Sequence, residues 1–458
     1  MNNCQLKDRI LRYDRMVPRY TSYPTAPHFR PGFDHKAYAD WLTAIPQESR
    51  LSLYLHVPFC PKMCWYCGCH TKITRRYAPV EDYAHLLIRE IEILGGVLGS
   101  SRKATNIHFG GGSPGMLRAR DFSLIMETLA KTFTITSDAE IALEIDPREI
   151  TENRIKAYAD HGLNRASIGV QDFNDETLKA VNREQPFELT QKTVEMLRNQ
   201  DIEGINFDLL YGLPYQTVKT MEETIEKSVS LSPSRFALFG YAHVPWMKKH
   251  MRLIPDQSLP QKEIRYDLFE KGSNLLQEAG YLPVGIDHFA RPDDELIKAY
   301  KNKTLRRNFQ GYTTDNADVM LGLGASSIGK LTGGYVQNSP DMPVYTQAIL
   351  DGHLPTVKSC AITAEDRLRA DVIEQIMCFF EVNLPEICKK HGVPTETFTA
   401  DLDKLTPWIE DGLVTLSDEQ TITIAENARP TLTRLVSAAF DAYLPAQDPA
   451  TPRHARAI

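Results

Sequence analysis

The sequence lacks any apolar run of about 18 residues, the length that a membrane-spanning helix needs. Its first residues, MNNCQLKDRI, contain no positively charged stretch followed by an apolar one, so no secretory signal is recognised. The sequence also lacks low-complexity tracts and regular repeats, which excludes solenoid architectures. We therefore expect a cytoplasmic protein that neither spans a membrane nor is exported across one.

An excess of positive charge is also missing. The 458 residues include 59 Asp and Glu against 52 Lys and Arg, which gives a formal net charge of -7. The C-terminal region in particular has no dense Lys/Arg stripe, so we expect no nucleic-acid partner. A hydrophobic fraction of 42% is ordinary for a globular protein, and the length predicts about two to three domains.

Cysteines are few, yet four of the eight lie within one decapeptide, CPKMCWYCGC, at residues 60–69. The first three, Cys60, Cys64 and Cys67, have the spacing C-x3-C-x2-C. A closed [4Fe-4S] cluster takes four cysteines. Because three thiolates would leave one iron open to bind a small molecule, this spacing favours chemistry at an iron-sulfur cluster.

A zinc site and a disulfide pair are the alternatives for these thiols. Zinc modules use two separated ligand pairs. No second C-x2-C or H-x3-H is present, although His70 adjoins the loop. Disulfides are disfavoured because cytosolic thiols stay reduced. A zinc-stabilised binding module therefore remains as an alternative hypothesis, while Cys360, Cys378 and Cys388 are predicted to be packing residues.

Six β-type runs alternate with segments of helical length between about residue 51 and residue 245. The runs are LSLYLHVPF, TNIHFGGG, EIALEIDP, NRASIGVQ, GINFDLLYGLP and RFALFGYAHVP. Their starts lie roughly thirty residues apart, which is typical of βαβ units and a parallel sheet. Six units are fewer than the eight of a closed TIM barrel. The sequence thus predicts an α/β fold, an incomplete (β/α)6 TIM-like barrel with a lateral opening. The later runs YLPVGIDHFA and DVMLGLGASSIG are expected to extend or flank the sheet.

Polar residues and glycines recur at the carboxyl end of each run, where ligands of parallel sheets bind. The second run ends in GGGSP, residues 110–114. This stretch lacks the lysine of a P-loop and the spacing of a Rossmann fingerprint, so neither a nucleoside triphosphate nor NAD is expected. Its bare backbone could approach the amino-acid end of a ligand closely. A tight turn without any ligand is the alternative interpretation.

Taken together, these motifs resemble a known family. The spacing of Cys60, Cys64 and Cys67 matches that of radical S-adenosylmethionine enzymes, and GGGSP is similar to their glycine motif. The segments PRYTSYPTAPHF, LHVPFCPKMCWYCGCH, EIDPREI, VNREQP, DLLYGLPYQT, GIDHFARPDDEL and RRNFQGYTT follow one another as in the oxygen-independent coproporphyrinogen III oxidases. The resemblance extends from about residue 18 to residue 330 and weakens beyond.

The resemblance implies a function. In that family a reduced [4Fe-4S] cluster splits S-adenosylmethionine, and the radical produced removes hydrogen from two propionates of coproporphyrinogen III, which become the vinyl groups of protoporphyrinogen IX. The implied partners are this substrate, a reductant such as flavodoxin and a terminal electron acceptor, and a monomer is expected. The alternative is a related haem-binding chaperone, which lacks Cys69 and the PRYTSYPTA segment, both present here.

The resemblance also implies roles for single residues. Cys60, Cys64 and Cys67 would bind the cluster. The residues implied around a first S-adenosylmethionine are Tyr54, Gly111, Glu144 and Ile328. Those implied around a second are Tyr66, Gly112, Ser113, Gln171, Arg183, Asp208 and Ala242. Without the family pattern, Arg183 reads as a surface charge. Phe309 and Gln310 are candidates at the substrate end.

Three parts are predicted along the chain. Residues 1–48 form an N-terminal segment that, in the family, folds over the active site. Residues 49–345 form the partial barrel with accessory strands. Residues 346–458 form a mainly helical, winged-helix-like domain, which we expect to act as a lid or docking domain.

Overall fold

The structure is a computed structural model that describes residues 3–444. Its strands are β1 Arg30–Pro31, β2 Leu51–Val57, β3 Phe59–Cys60, β4 Lys72–Ile73, β5 Lys103–Gly111, β6 Thr134–Ile145, β7 Arg165–Gln171, β8 Gly204–Tyr211, β9 Arg235–Gly240, β10 Leu282–Val284, β11 His288–Ala290, β12 Arg306–Asn308, β13 Gly311–Thr313, β14 Val319–Leu323, β15 Ile328–Leu331, β16 Gly334–Asn338, β17 Thr356–Ala361, β18 Glu381–Asn383, β19 Val414–Leu416 and β20 Thr421–Ile424. Its α-helices are α1 Asn3–Arg12, α2 His35–Thr43, α3 Ala78–Leu98, α4 Ala119–Thr132, α5 Glu152–Asp160, α6 Asp175–Ala180, α7 Phe187–Arg198, α8 Val218–Ser230, α9 Lys262–Glu278, α10 Glu295–Lys301, α11 Met342–Leu350, α12 Ala364–Phe379, α13 Leu384–His391, α14 Thr399–Asp403, α15 Thr406–Glu410 and α16 Arg429–Ala439.

The predicted incomplete barrel is confirmed. The six predicted runs form β2, β5, β6, β7, β8 and β9, which lie side by side in chain order and pair in parallel. The DVMLGLGASSIG run supplies a seventh parallel strand, β14, beside β2. Antiparallel strands extend both edges, with β15, β16, β17 and β1 on one side and β11 and β10 on the other. Within the described residues β1 and β10 do not pair with each other, so the barrel stays open.

The sheet is stable because both of its faces are buried, as in α/β proteins generally. In β2 every residue except Tyr54 is buried. The outer face of the barrel is covered by helices such as α3, whose apolar stripe includes the fully buried Leu87 and Ile91. Each such side chain stabilises the fold by about 1.5 to 3 kcal/mol. α3 ends at Gly99 in the left-handed conformation, with φ at 70°.

A second hydrophobic core joins the two ends of the described chain. Val17, Tyr20 and Tyr23 of the N-terminal segment pack there with α12 and α16. The short sheet β18-β20-β19 completes this mainly helical C-terminal region. β17 follows residue 345 yet belongs to the main sheet, and the boundaries between the predicted parts stay a prediction. Among residues 3–444, no helix combines the length and the apolarity needed to cross a bilayer.

Candidate active site

The cysteine loop, residues 60–69, leaves the sheet directly after β2 and β3. Neighbouring segments hold its backbone in place. The N-H of Trp65 donates to the carbonyl of Val181 at 2.9 Å, and Asn182 Nδ2 donates to the carbonyl of Met63 at 2.7 Å. From beyond β9, Lys248 Nζ donates to the carbonyl of Cys69 at 3.1 Å. The loop is therefore fixed by segments that follow β7 and β9, at the carboxyl edge of the sheet.

Two guanidinium groups lie against the sulfur of Cys64. Arg148 Nη2 donates to Cys64 Sγ at 3.4 Å, and Arg183 Nη1 donates to it at 3.6 Å. Both also contact Asp146, at 2.6 Å and 3.4 Å. Burial alone would raise the pKa of Asp146, but the two guanidiniums lower it to about 2. Two cationic donors therefore contact the sulfur of Cys64.

The three thiols themselves have different surroundings. Burial raises the pKa of Cys60 to about 12, whereas a hydrogen bond with Cys69 lowers the pKa of Cys67 to about 7. Across the described residues, no three His, Cys, Asp or Glu side chains are grouped to hold a single metal ion. A mononuclear zinc site requires such a group, but the cysteines of a cubane each bind a different iron. The donor set of three thiols beside two guanidiniums fits the cluster.

The glycine stretch follows β5 and passes close to the loop. Gly111 has φ at 111°, and an added Cβ there would collide with the ring of His56. A Cβ at Gly112 would lie 2.7 Å from the carbonyl oxygen of Phe59. Ser113 Oγ is buried and has no hydrogen-bond partner among residues 3–444. Most buried polar atoms in folded proteins have a hydrogen-bond partner, so this hydroxyl is an exception.

Glu144 ends β6 next to the glycines. Its Oε2 accepts a hydrogen bond from the N-H of Gly111 at 3.0 Å, and its Oε1 lies 3.4 Å from His108 Nε2. Burial would raise the pKa of Glu144, but His108 and Gly111 outweigh it and hold the pKa below its ordinary value. Tyr54, on β2, stacks on the His108 ring at 5.9 Å between centroids. A charged carboxylate thus lies beside an aromatic wall, as a cationic or hydroxylated ligand would require.

The next two strands add further polar groups. Gln171, at the end of β7, has φ at 71°, a strained conformation that is found often at functional sites. Asp208, on β8, accepts hydrogen bonds from Ser167 Oγ and Asn206 Nδ2, each at 2.8 Å. Burial nevertheless raises its pKa to about 6. Gln171 and Asp208 extend the polar edge from β6 to β8.

Three further predicted site residues are Ile328, Tyr66 and Arg183. Ile328 begins β15, where its carbonyl lies close to Gly322, the β14 partner of Tyr54. Tyr66 packs into a small apolar cluster with Tyr241 and Met251. Arg183 is buried, with 6% of its side chain exposed, so its interpretation as a surface charge is wrong. The family pattern alone had indicated a role for it.

Phe309 and Gln310 lie between β12 and β13. The ring of Phe309 contacts that of Tyr335 edge-on, with 6.2 Å between centroids. The backbone N-H of Gln310 donates to Asn308. Their assignment to the substrate end stays a prediction.

Sequence reasoning missed two groups of residues. One is Arg148 at Cys64, for which the EIDPREI motif was the available signal. The other lines a cavity of about 390 Å³ beyond the ends of β8 and β9, into which four arginines extend. Arg19 and Arg307 lie in the family-like segments PRYTSYPTAPHF and RRNFQGYTT, but no spacing in the sequence connects the four arginines.

Known proteins are similar to this chain over most of its length. Residues 54–227 match the model of the Radical SAM superfamily. The oxygen-independent coproporphyrinogen III oxidase of Bradyrhizobium diazoefficiens is 48% identical over 445 residues, which cover 97% of this chain and 98% of that protein. The protein of the same name from Paracoccus denitrificans is 44% identical and is covered to 98%, as is this chain. The structure of coproporphyrinogen III oxidase from Escherichia coli, described as a radical SAM enzyme, has a TM-score of 0.89 at 36% identity, covering 94% of this chain and 100% of that one.

Proposed function

The chain belongs to the family of oxygen-independent coproporphyrinogen III oxidases, and from this membership we propose that it converts coproporphyrinogen III to protoporphyrinogen IX in haem biosynthesis. In this reaction two propionate side chains each lose carbon dioxide, one proton and two electrons and become vinyl groups. The observation that carries the proposal is the 48% sequence identity to a named oxidase over 97% of this chain. Three cysteines at C-x3-C-x2-C spacing on the carboxyl edge of the barrel support it. The relatives are named as oxidases, which favours the enzyme over the haem-binding chaperone.

The cofactors of this family are a [4Fe-4S] cluster and S-adenosylmethionine. Cys60, Cys64 and Cys67 would hold the cluster, with Arg148 and Arg183 offsetting its negative charge through Cys64. When bound, the two cofactors supply the one-electron chemistry by which a propionate loses a hydrogen atom. The fold supplies the rest, because it binds and orients the reactants and keeps water away from them.

Two S-adenosylmethionine positions are part of the proposal. Gly111 and Gly112, where side chains would collide with their surroundings, let the backbone approach a ligand. Glu144 offers a charged acceptor beside the ring of Tyr54 for the first molecule. Ser113 Oγ, buried without a partner in the described part of the chain, is available for the second. The burial of Arg183 next to Asp146 supports its place at this second molecule.

The finer assignments belong to the same proposal. We infer a flavodoxin-like reductant and a separate electron acceptor, since the redox balance requires both. We also propose that the protein is a monomer and is located in the cytoplasm. The N-terminal segment and the C-terminal helices share one hydrophobic core, which supports the view that they cover the barrel together.

The test is an anaerobic reaction of the reconstituted protein with coproporphyrinogen III, S-adenosylmethionine and dithionite or reduced flavodoxin. We expect vinyl porphyrins, detected by chromatography after oxidation of the products. A Cys64→Ala protein prepared in the same way is the control and should form none. If the iron-loaded wild-type protein cleaves S-adenosylmethionine but leaves the propionates intact, the proposed substrate is wrong.

A further inference from the structure

The arginine cavity lies beyond the ends of β8 and β9 and has a volume of about 390 Å³. Four basic residues line it, each from a different part of the chain: Arg19 from the N-terminal segment, Arg265 from α9, Arg307 from β12 and Arg434 from α16. Ala242, predicted to contact the second S-adenosylmethionine, lines it as well. The cavity therefore adjoins the candidate active site.

The charges in this cavity do not balance. Asp287 is the one carboxylate among the lining residues, against four guanidiniums. Its Oδ1 lies 4.0 Å from Arg307 Nη1 and, more closely, 2.7 Å from His288 Nδ1. Only 5% of the Arg307 side chain is exposed, yet its Nε and Nη1 have no hydrogen-bond partner within residues 3–444. Burying such donors is costly unless something else satisfies them.

The other guanidiniums are held by backbone carbonyls. Arg434, 7% exposed, donates to the carbonyls of Val17 and Pro18. Arg265 Nη2 donates to the carbonyl of Tyr241 at 3.0 Å. Burial is the main cause that lowers the pKa of Arg434 to about 10, and the nearby Arg19 and Arg307 add to it.

Arg19 and Arg307 are linked to each other and to the barrel. Arg19, the exposed member of the group, donates to the carbonyl of Gly240 at the end of β9, at 3.1 Å. Arg307 is stacked over the ring of Tyr312, with 4.4 Å from its central carbon to the ring centroid. These contacts fix the side chains before any ligand arrives, which lowers the entropic cost of binding one.

The remaining walls of the cavity are mostly aromatic and aliphatic. Tyr211, Phe239, Trp246 and Phe269 line it beside the arginines. A flat, ring-containing ligand with carboxylates at its edge complements such a surface, because guanidiniums bind carboxylates strongly and directionally. We propose that the arginine cavity, through Arg19, Arg265, Arg307 and Arg434, binds propionate carboxylates of the tetrapyrrole. This inference rests on the proposed function and assigns the part of the site that recognises the substrate.

Arg307→Gln is the most informative variant, because Arg307 carries the unpartnered donors. Its neighbour Arg306→Gln is a matched control, since Arg306 lies on the same strand, has 54% of its side chain exposed and pairs with Glu374. The probe is coproporphyrin III, the stable oxidised form of the proposed substrate, titrated by fluorescence against the reconstituted protein with S-adenosylmethionine. We expect about ten- to hundredfold weaker binding for Arg307→Gln and no change for Arg306→Gln.

Two further measurements separate the possible results. The tetramethyl ester of coproporphyrin III has no charge, so it should bind the wild type and Arg307→Gln equally. The thermal midpoint of ligand-free Arg307→Gln should equal or exceed that of the wild type, because one of four neighbouring guanidiniums is removed. Unchanged binding of coproporphyrin III, or a loss of S-adenosylmethionine binding instead, would overturn the proposal. If the wild type forms no vinyl product but the variant still loses coproporphyrin III binding, the carboxylate site stands and the proposed reaction fails.

Discussion

The cysteine loop and the arginine cavity lie at the same carboxyl edge of the barrel, yet the chain encodes them in opposite ways. The loop places its three predicted ligands within residues 60–67. The cavity gathers its arginines from residue 19 to residue 434. A short loop is constrained locally, so its spacing alone indicates its chemistry. A charge cluster assembled by tertiary packing has no local pattern, and only the fold reveals it.

The largest effect should come from the loop itself. Cys60→Ala, Cys64→Ala or Cys67→Ala should abolish cluster binding and all product formation, because each removes one of the three thiolates that hold the iron. Iron and acid-labile sulfide per chain, measured after anaerobic reconstitution, give the readout.

Cys69→Ala is the matched control from the same loop. It should keep its iron, since Cys69 is not among the predicted ligands. Equal loss of iron from Cys69→Ala would mean that the cluster ligands have been assigned to the wrong thiols. The spacing within the cysteine loop would then not be enough to identify its ligands, and the comparison with the arginine cavity would fail.

A second variant tests the charge balance of the arginine cavity. Asp287→Asn removes its one lining carboxylate and should lower the free energy of unfolding by about 3 kcal/mol, because the guanidiniums lose a buried counterion. The same change should strengthen coproporphyrin III binding by about tenfold, since less negative charge opposes the ligand. Thermal unfolding and fluorescence titration measure the two effects.

The essential result of this test is that Asp287→Asn lowers the stability of the protein but raises its affinity for coproporphyrin III. Asp293→Asn, an exposed neighbour in the same segment, should change neither quantity. Weaker ligand binding in Asp287→Asn would indicate that Asp287 serves to orient the arginines, and that the cavity's positive charge is not what attracts the ligand.

Much of the fold could be predicted from the sequence, because parallel strands read as apolar runs at regular intervals. All six runs became adjacent strands, with GGGSP and Glu144 at their ends. The pairing of β14 with β2 could not be predicted, since its run occurs long after the six units. Arg148 and Arg307 were missed, although both lie in family-like segments, because an arginine in a sequence is usually a surface charge. Their burial depends on neighbours that are distant along the chain.

A third test concerns a buried carboxylate that supports the turn between β14 and β15. Glu90, on α3, is 1% exposed and accepts hydrogen bonds from the N-H of Gly324, from Asn338 Nδ2 and from Tyr345. These bonds hold the turn that leads to Ile328. Burial raises the pKa of Glu90 from 4.5 to about 7. The folded chain therefore favours its protonated form, and this stabilisation is complete below pH 4.5 and is lost as the pH rises to about 7.

Glu90→Gln cannot titrate, so its stability should depend less on pH over this range. We expect the variant to be less stable than the wild type by about 2 kcal/mol at pH 5, because an amide cannot accept all three hydrogen bonds. The difference should shrink toward pH 7. Thermal midpoints across the pH range measure it, with Glu92→Gln, exposed on the same helix, as the control. A constant difference at all pH values would contradict the raised pKa.

The smallest predicted effect concerns Arg148. The spacing of the cysteines could not indicate this residue, but it contacts Cys64, a ligand that the spacing did indicate. Arg148 Nη2 donates to Cys64 Sγ at 3.4 Å. Reduction adds negative charge to a cluster, and a cationic donor at a ligand sulfur favours that state. Arg148→Met should therefore lower the reduction potential by roughly 50 mV, which for a one-electron couple is about 1 kcal/mol, while iron content stays unchanged. Redox titration followed by electron paramagnetic resonance measures it, and Arg148→Lys should restore part of the shift. An unchanged potential in Arg148→Met would mean that Arg148 serves only to hold Asp146, and that the chemistry of the loop is set by its own short sequence.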